Sequence, residues 1–91
     1  MRVCYYAHLR DDTGRDEETL TGPTSIQDLL VLLANRYQEP LSSHILTTDR
    51  SQNSDDIFIL VNGRHLRQLD GMKTRLADSD CIALIPVTEA G

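Results

Sequence analysis

The sequence predicts an α+β domain in which one main helix packs on a small mixed sheet. Three observations carry this. Apolar, strand-like segments stand at both ends of the chain, a leucine-rich helical stripe lies between them, and an Asn-Gly pair follows an unbroken apolar run. The predicted order is strand, strand, helix, strand, short strand, strand. A chain of 91 residues suits one domain with a modest core. A single domain over 1–91 is therefore expected, with 87–91 as a flexible C-terminal tail.

The first strand is expected over Val3 to Leu9, with Val3, Tyr5, Ala7 and Leu9 on one face and Cys4, Tyr6 and His8 on the other. Asp11-Asp12-Thr13-Gly14 reads as a turn in which Gly14 supplies positive φ. Glu18 to Thr21 reads as a short polar strand at a sheet edge, where charge discourages further pairing. Gly22-Pro23-Thr24 ends it. Ser25 then caps a helix, with Asp28 three residues on. Ile26, Leu29, Leu30, Leu33, Ala34 and Tyr37 recur at three- and four-residue spacing, which predicts a helix from Ile26 to Tyr37 with an apolar, core-facing stripe.

Leu41 to Asp56 is polar and reads as a long loop with one helical turn, anchored by Leu41, Ile45 and Leu46. Loops of this length are uncommon in compact domains, and both a variable loop and a partner-contact loop fit. Ile57 to Val61 is an apolar strand. Asn62-Gly63 then signals a type I′ hairpin, since both central positions need positive φ. His65 to Leu69 is the expected return strand, Asp70-Gly71 a further turn, and Cys81 to Ile85 the final strand. The first and last strands are the most apolar and are expected to be central and adjacent.

One helix covers one face of a sheet. If Val3, Tyr5, Ile82 and Leu84 face the helix, then Cys4, Tyr6, Ala83 and Ile85 face away, and a sheet with a wet face should alternate more cleanly. The pattern predicts an exposed apolar patch of the kind that marks an interface, unless segment 41–56 folds over it.

Net charge is −5, which argues against a nucleic-acid partner. No long apolar run suits a membrane span and no N-terminal pattern suits export, so no membrane partner and a cytoplasmic location are expected. Cys4 and Cys81 lack metal-ligand or C-x-x-C spacing. Small core residues are the first reading for them, with a disulfide or a catalytic thiol behind it. His8, His44 and His65 show no metal-site pattern, and no metal is expected. Asp11, Asp12, Asp16, Glu17 and Glu18 read as a solvated acidic face. No nucleophile elbow or phosphate-binding glycine loop is present, and catalysis by the chain alone is not expected.

The ordered set Tyr5-x-Ala7-x-Leu9-Arg10, Thr13-Gly14, Ser25-x-x-Asp28-Leu29-Leu30, Val61-Asn62-Gly63-Arg64 and Leu69-Asp70-Gly71-x-x-Thr74-x-Leu76-x-Asp78-x-Asp80-x-Ile82-x-x-x-Pro86 resembles the MoaD/ThiS family of ubiquitin-like sulfur carriers. It spans the chain apart from 41–56. It is more similar to the small subunit of molybdopterin synthase and to archaeal modifier proteins than to the shorter thiamine carriers. The resemblance implies a β-grasp fold. It also implies that a ubiquitin-activating-like enzyme, using ATP, adenylates the carboxylate of Gly91, and that sulfur transfer yields a thiocarboxylate. No cofactor is expected on the chain itself. The implied acceptor is the large subunit of molybdopterin synthase or another sulfur acceptor.

The tail Val87, Thr88, Glu89, Ala90 and Gly91 could extend about 17 Å at ~3.3 Å per residue, carrying the acyl carbon into a deep pocket. The apolar face with Tyr6, His65 and Ile85 is then the expected partner-binding surface. The family ends in Gly-Gly, whereas this chain ends in Ala90-Gly91, and Glu89 is an unexpected charge. Three readings stay open: a sulfur carrier, a protein modifier joined to lysines through Gly91, and a binding module no longer activated.

Overall fold

The structure, a computed structural model, describes residues 1–87. Five strands form one mixed sheet: β1 (Arg2–Tyr5), β2 (Glu17–Thr19), β3 (Ile57–Val61), β4 (Arg64–His65) and β5 (Cys81–Pro86). Their spatial order is β2-β1-β5-β3-β4. The first and last strands pair in parallel, Val3 beside Ile82 and Tyr5 beside Leu84. Both lie inside the sheet, as their apolar character predicts. The β1–β2, β3–β5 and β3–β4 pairs are antiparallel.

The main helix, α2 (Ile26–Tyr37), has its predicted ends. The Ser25 side chain accepts from the Asp28 backbone N–H, and Ile26, Leu29, Leu30, Leu33 and Ala34 are buried. The strands present Val3, Tyr5, Ile57, Ile59, Ile82 and Leu84 to the same core. The Asn-Gly turn forms with φ of 52° at Asn62 and 84° at Gly63. Asn62 also works through its side chain: its Oδ1 accepts from the Cys81 N–H at 2.9 Å and its Nδ2 donates to Asp80 at 3.0 Å. The hairpin turn is thereby joined to the start of β5.

The first predicted strand is too long. β1 stops at Tyr5, Ala7 has φ of 52°, and a short helix, α1 (His8–Thr13), follows. Leu9 is fully buried, as either reading requires, because alternation and a helical turn both place every fourth residue on one side. The expected turn at 11–14 is the end of α1, with Gly14 at φ of 73°. The second strand is Glu17–Thr19 rather than 18–21, and the return strand contracts to Arg64–His65 before a 3₁₀ turn at Leu66–Gln68. Leu66 turns inward and is buried, which ends the pairing.

The acidic cluster is not uniformly solvated. Glu18 is 7% exposed, and its carboxylate receives the hydroxyls of Tyr5 and Tyr37 and the Arg36 guanidinium. Segment 41–56 opens with a helix, α3 (Leu41–Ile45), and Leu41, Ile45 and Leu46 are buried as expected. Its later part is tied to α2: Gln27 donates to the Arg50 carbonyl at 2.6 Å and Arg50 to the Asn35 side chain at 2.7 Å. This segment packs on the helical side, and the opposite sheet face has no covering element among the described residues.

Candidate functional site

The strand registers assemble that uncovered face. Cys4 is paired with Ala83, Ala83 with Leu60 and Leu60 with His65. Ile85 is paired with Phe58, and the Phe58 and His65 rings meet edge to face with centroids 5.7 Å apart. Cys4, Phe58, Leu60, His65, Ala83 and Ile85 are all half-buried. A row of neighbouring apolar groups that is only half-buried, with no covering layer among the described residues, is the patch that the unclean alternation predicts.

Of the expected partner-binding residues, Ile85 and His65 therefore meet on either side of Phe58. Tyr6 follows β1 and its N–H donates to the Leu84 carbonyl at 3.3 Å, which sets it beside β5. It is the exposed large hydrophobic among the described residues, at 41%. Phe58 and Leu60 were missing from the expected set. Their signal was present, since an unbroken apolar strand places alternate residues on the far face.

The parallel pairing of β1 and β5 puts their C-terminal ends at the same end of the sheet. There the Val87 N–H donates to the Asp56 carbonyl at 2.8 Å, so the first residue of the expected tail is held by the chain preceding β3. Val87 also borders a cleft of about 310 Å³ shared with Phe58, His65, Leu66 and Arg67. Thr88, Glu89, Ala90 and Gly91, including the expected reactive end, lie outside the described residues.

The thiols are on the open face, not in the core. Both are free and half-buried. Cys81 is 3.8 Å from the Arg2 guanidinium and Cys4 is 3.7 Å from the Glu17 carboxylate. Burial and the neighbouring Cys81 push the Cys4 thiol up from its ordinary pKa, which favours the unreactive protonated form. Cys4 therefore lacks the activated setting of a nucleophile.

The sequence pattern of the ThiS family matches residues 3–89. The chain belongs to the ThiS family. Solved structures agree with that placement. The small archaeal modifier protein 1 (SAMP1) of Methanosarcina acetivorans is similar over 99% of this chain and 94% of its own, with a TM-score of 0.81 and 31% identity. A putative molybdopterin converting factor subunit 1 from Pyrococcus furiosus covers 93% of each chain at a TM-score of 0.74 and 27% identity. The CysO protein of Mycobacterium tuberculosis has the same fold, with a TM-score of 0.79 over 93% of this chain and 96% of its own at 22% identity. No curated protein matches the sequence at a significant level.

This ThiS-family chain is thus a member of the ubiquitin-like sulfur carriers and modifiers, with the β-grasp fold that the resemblance implied. No helix of the described residues is long and apolar enough to cross a membrane.

Proposed function

We propose that this chain is a cytoplasmic sulfur carrier whose terminal glycine, Gly91, is adenylated and converted to a thiocarboxylate, and that it serves as the small subunit of molybdopterin synthase. The observation that carries the reading is the family match over nearly the whole chain. The likeness to a putative molybdopterin converting factor subunit supports the choice of pathway.

The chemistry needs an activated carboxyl. An α-carboxylate with a pKa of roughly 3.5 is ionised at neutral pH and is a poor acyl group. Its attack on the α-phosphorus of ATP, in the active site of a ubiquitin-activating-like enzyme, releases pyrophosphate and leaves an acyl adenylate. A sulfur nucleophile then displaces AMP. ATP is bound by that enzyme, and the carrier supplies the carboxylate and a surface to be recognised. In this reading the activating enzyme and the large subunit grip the open face of Tyr6, Phe58, His65 and Ile85 while the tail enters an active site.

A second reading is favoured by the 31% identity to SAMP1, which is named as a protein modifier. In it the same adenylate is passed to lysines of other proteins. The deciding measurement is the intact mass of the protein from its own cells. A species in which one oxygen is replaced by sulfur, lost when Gly91 is removed, establishes the carrier. A ladder of conjugates on other proteins transfers the role to modification. An unaltered chain, even after incubation with ATP and the cognate activating enzyme, defeats both and leaves a binding module.

A further inference from the structure

We propose that His8, Asp12 and His44 form a zinc site that joins α1 to α3. The inference is independent of the sulfur chemistry above and rests on the placement of three side chains. His8 and Asp12 stand one helical turn apart on α1, and His44 reaches them from α3. One ligand atom from each lies within 4.8 Å of the others. His44 Nδ1 is 2.6 Å from the Asp12 carboxylate and His8 Nδ1 is 3.8 Å from the same oxygen. The two imidazoles meet with ring centroids 4.6 Å apart.

Two further observations point to a ligand. His8 Nδ1 is buried and has no hydrogen-bond partner, the one such side-chain atom among the described residues. A buried imidazole nitrogen without a partner forfeits a hydrogen bond it makes in water. A metal ion is a partner that His8, Asp12 and His44 could share. The Asp12 side chain, for its part, is only 9% exposed, while those of His8 and His44 are 37% and 36% exposed. The carboxylate is thereby set behind two imidazoles that solvent still reaches.

The geometry suits zinc. Ligand bonds of about 2.0–2.1 Å arranged tetrahedrally separate ligand atoms by about 3.3 Å. The separations from the Asp12 oxygen, 2.6 and 3.8 Å, straddle that value and the third lies within 4.8 Å, so side-chain adjustments alone would bring the three atoms to ligand spacing. Two imidazoles and a carboxylate leave a fourth position for water, and the exposed imidazole edges leave a route to it. Asp12 would serve as the anionic ligand in place of its present hydrogen bond to His44. The site stands beyond the C-terminal end of β1, and α1 packs against β5. An ion there would brace the end of the sheet from which the chain continues toward Gly91.

The ordinary alternative is an Asp12–His44 pair that pins α3 with no metal. His8→Ala separates the two, because His8 makes no hydrogen bond to lose. The full chain, stripped with a chelator, would be melted with and without zinc, and titrated with Co²⁺ as a coloured substitute. The native chain should bind one equivalent, melt about 10 °C or more higher at zinc 100-fold above its Kd, and give visible Co²⁺ absorption without a thiolate charge-transfer band. His8→Ala should keep the metal-free fold and lose the zinc shift, with affinity falling at least tenfold. Asp12→Asn should weaken binding similarly. If that variant fails to fold, His44→Gln replaces it. A zinc shift absent from the native chain, unchanged in His8→Ala, or abolished by Cys4→Ser with Cys81→Ser overturns the site.

Discussion

Tyr5 donates its hydroxyl to the carboxylate of Glu18 at 2.5 Å, with both residues buried at the β1–β2 edge. Tyr37 donates to the same oxygen at 2.5 Å, and Arg36 reaches the other at 2.9 Å. An edge strand is thus held by an inward-pointing acid whose oxygens are all engaged, which is how a buried charge becomes tolerable. The same contact joins α2, which supplies Tyr37 and Arg36, to the sheet.

Glu18→Ala should be severely destabilising. It strands the buried Tyr5 hydroxyl and removes a charge-assisted network, a loss of about 3 kcal/mol. For a domain of this size that lowers Tm by roughly 15 °C. Tyr5→Phe removes one donor and leaves two others on the carboxylate, so it should cost about 1 kcal/mol. Equal losses in thermal melts of the two variants would show that the network is not centred on Glu18.

The network also sets a pH window. Burial works to raise the Glu18 pKa, but the hydroxyls of Tyr37 and Tyr5 and the charges of Arg15 and Arg36 outweigh it and hold the carboxyl below its ordinary value. Its stabilisation is therefore complete above the unfolded value of about 4.3 and declines as pH falls through the lower folded value. Tyr5, buried and bonded to Glu18, and Tyr37, for the same reasons, are pushed up. Their contribution is complete below the unfolded value of about 10 and declines as pH rises beyond it. Urea unfolding across pH should show a plateau between these limits, and Glu18→Gln should flatten the acid slope. An unchanged slope in that variant would assign acid unfolding to other carboxylates.

Asn62→Ala should cost about 2 kcal/mol. A Cβ-bearing residue without Asn's local bonding strains the φ of 52° by roughly 1–2 kcal/mol, and the bonds to Cys81 and Asp80 are lost. Asn62→Gly removes the strain but not the second loss, so it should lie between Ala and the native chain. Denaturant midpoints in that order check the account; Gly as damaging as Ala would show that the side-chain bonds dominate.

Ile85→Asp tests the open face. The side chain is half-buried, so folding should suffer by about 1 kcal/mol, whereas binding to the adenylating enzyme should weaken at least tenfold, as loss of a central apolar contact does. Titration calorimetry against that enzyme gives the affinity, and circular dichroism the fold. Undiminished affinity would move the docking surface elsewhere.

Ala90→Gly should speed adenylation by about 5- to 100-fold with a family enzyme whose channel accepts Gly-Gly. An added methyl in a tight channel costs typically 1–3 kcal/mol, and 1.4 kcal/mol is a factor of ten. Pyrophosphate release reports the rate. A cognate enzyme indifferent to the change would have a channel that already admits alanine.

Much of the fold was legible because its signals are local. Ser25 and Asp28 sit three residues apart and cap α2, and Asn62-Gly63 requires only its own backbone to turn. The open face was legible in outline, since too many apolar residues on alternating strands must leave some uncovered, but its make-up was not. Phe58 joins His65 and Ile85 only through the β3–β5 register. The continuation of β1 was misread because Leu9 is buried in either a strand or a helix.

The main helix, the five-strand inventory and the hairpin turn are written in local residue patterns, since capping, periodicity and positive φ act over a few residues. Packing between distant elements turns Glu18 inward, lays segment 41–56 on the helices rather than on the sheet face, and brings His44 to rest against Asp12, 32 positions away. Those outcomes depend on which surfaces pack together. A charge or an imidazole becomes structural only when its partner is delivered by another element, and no spacing along the chain records that delivery.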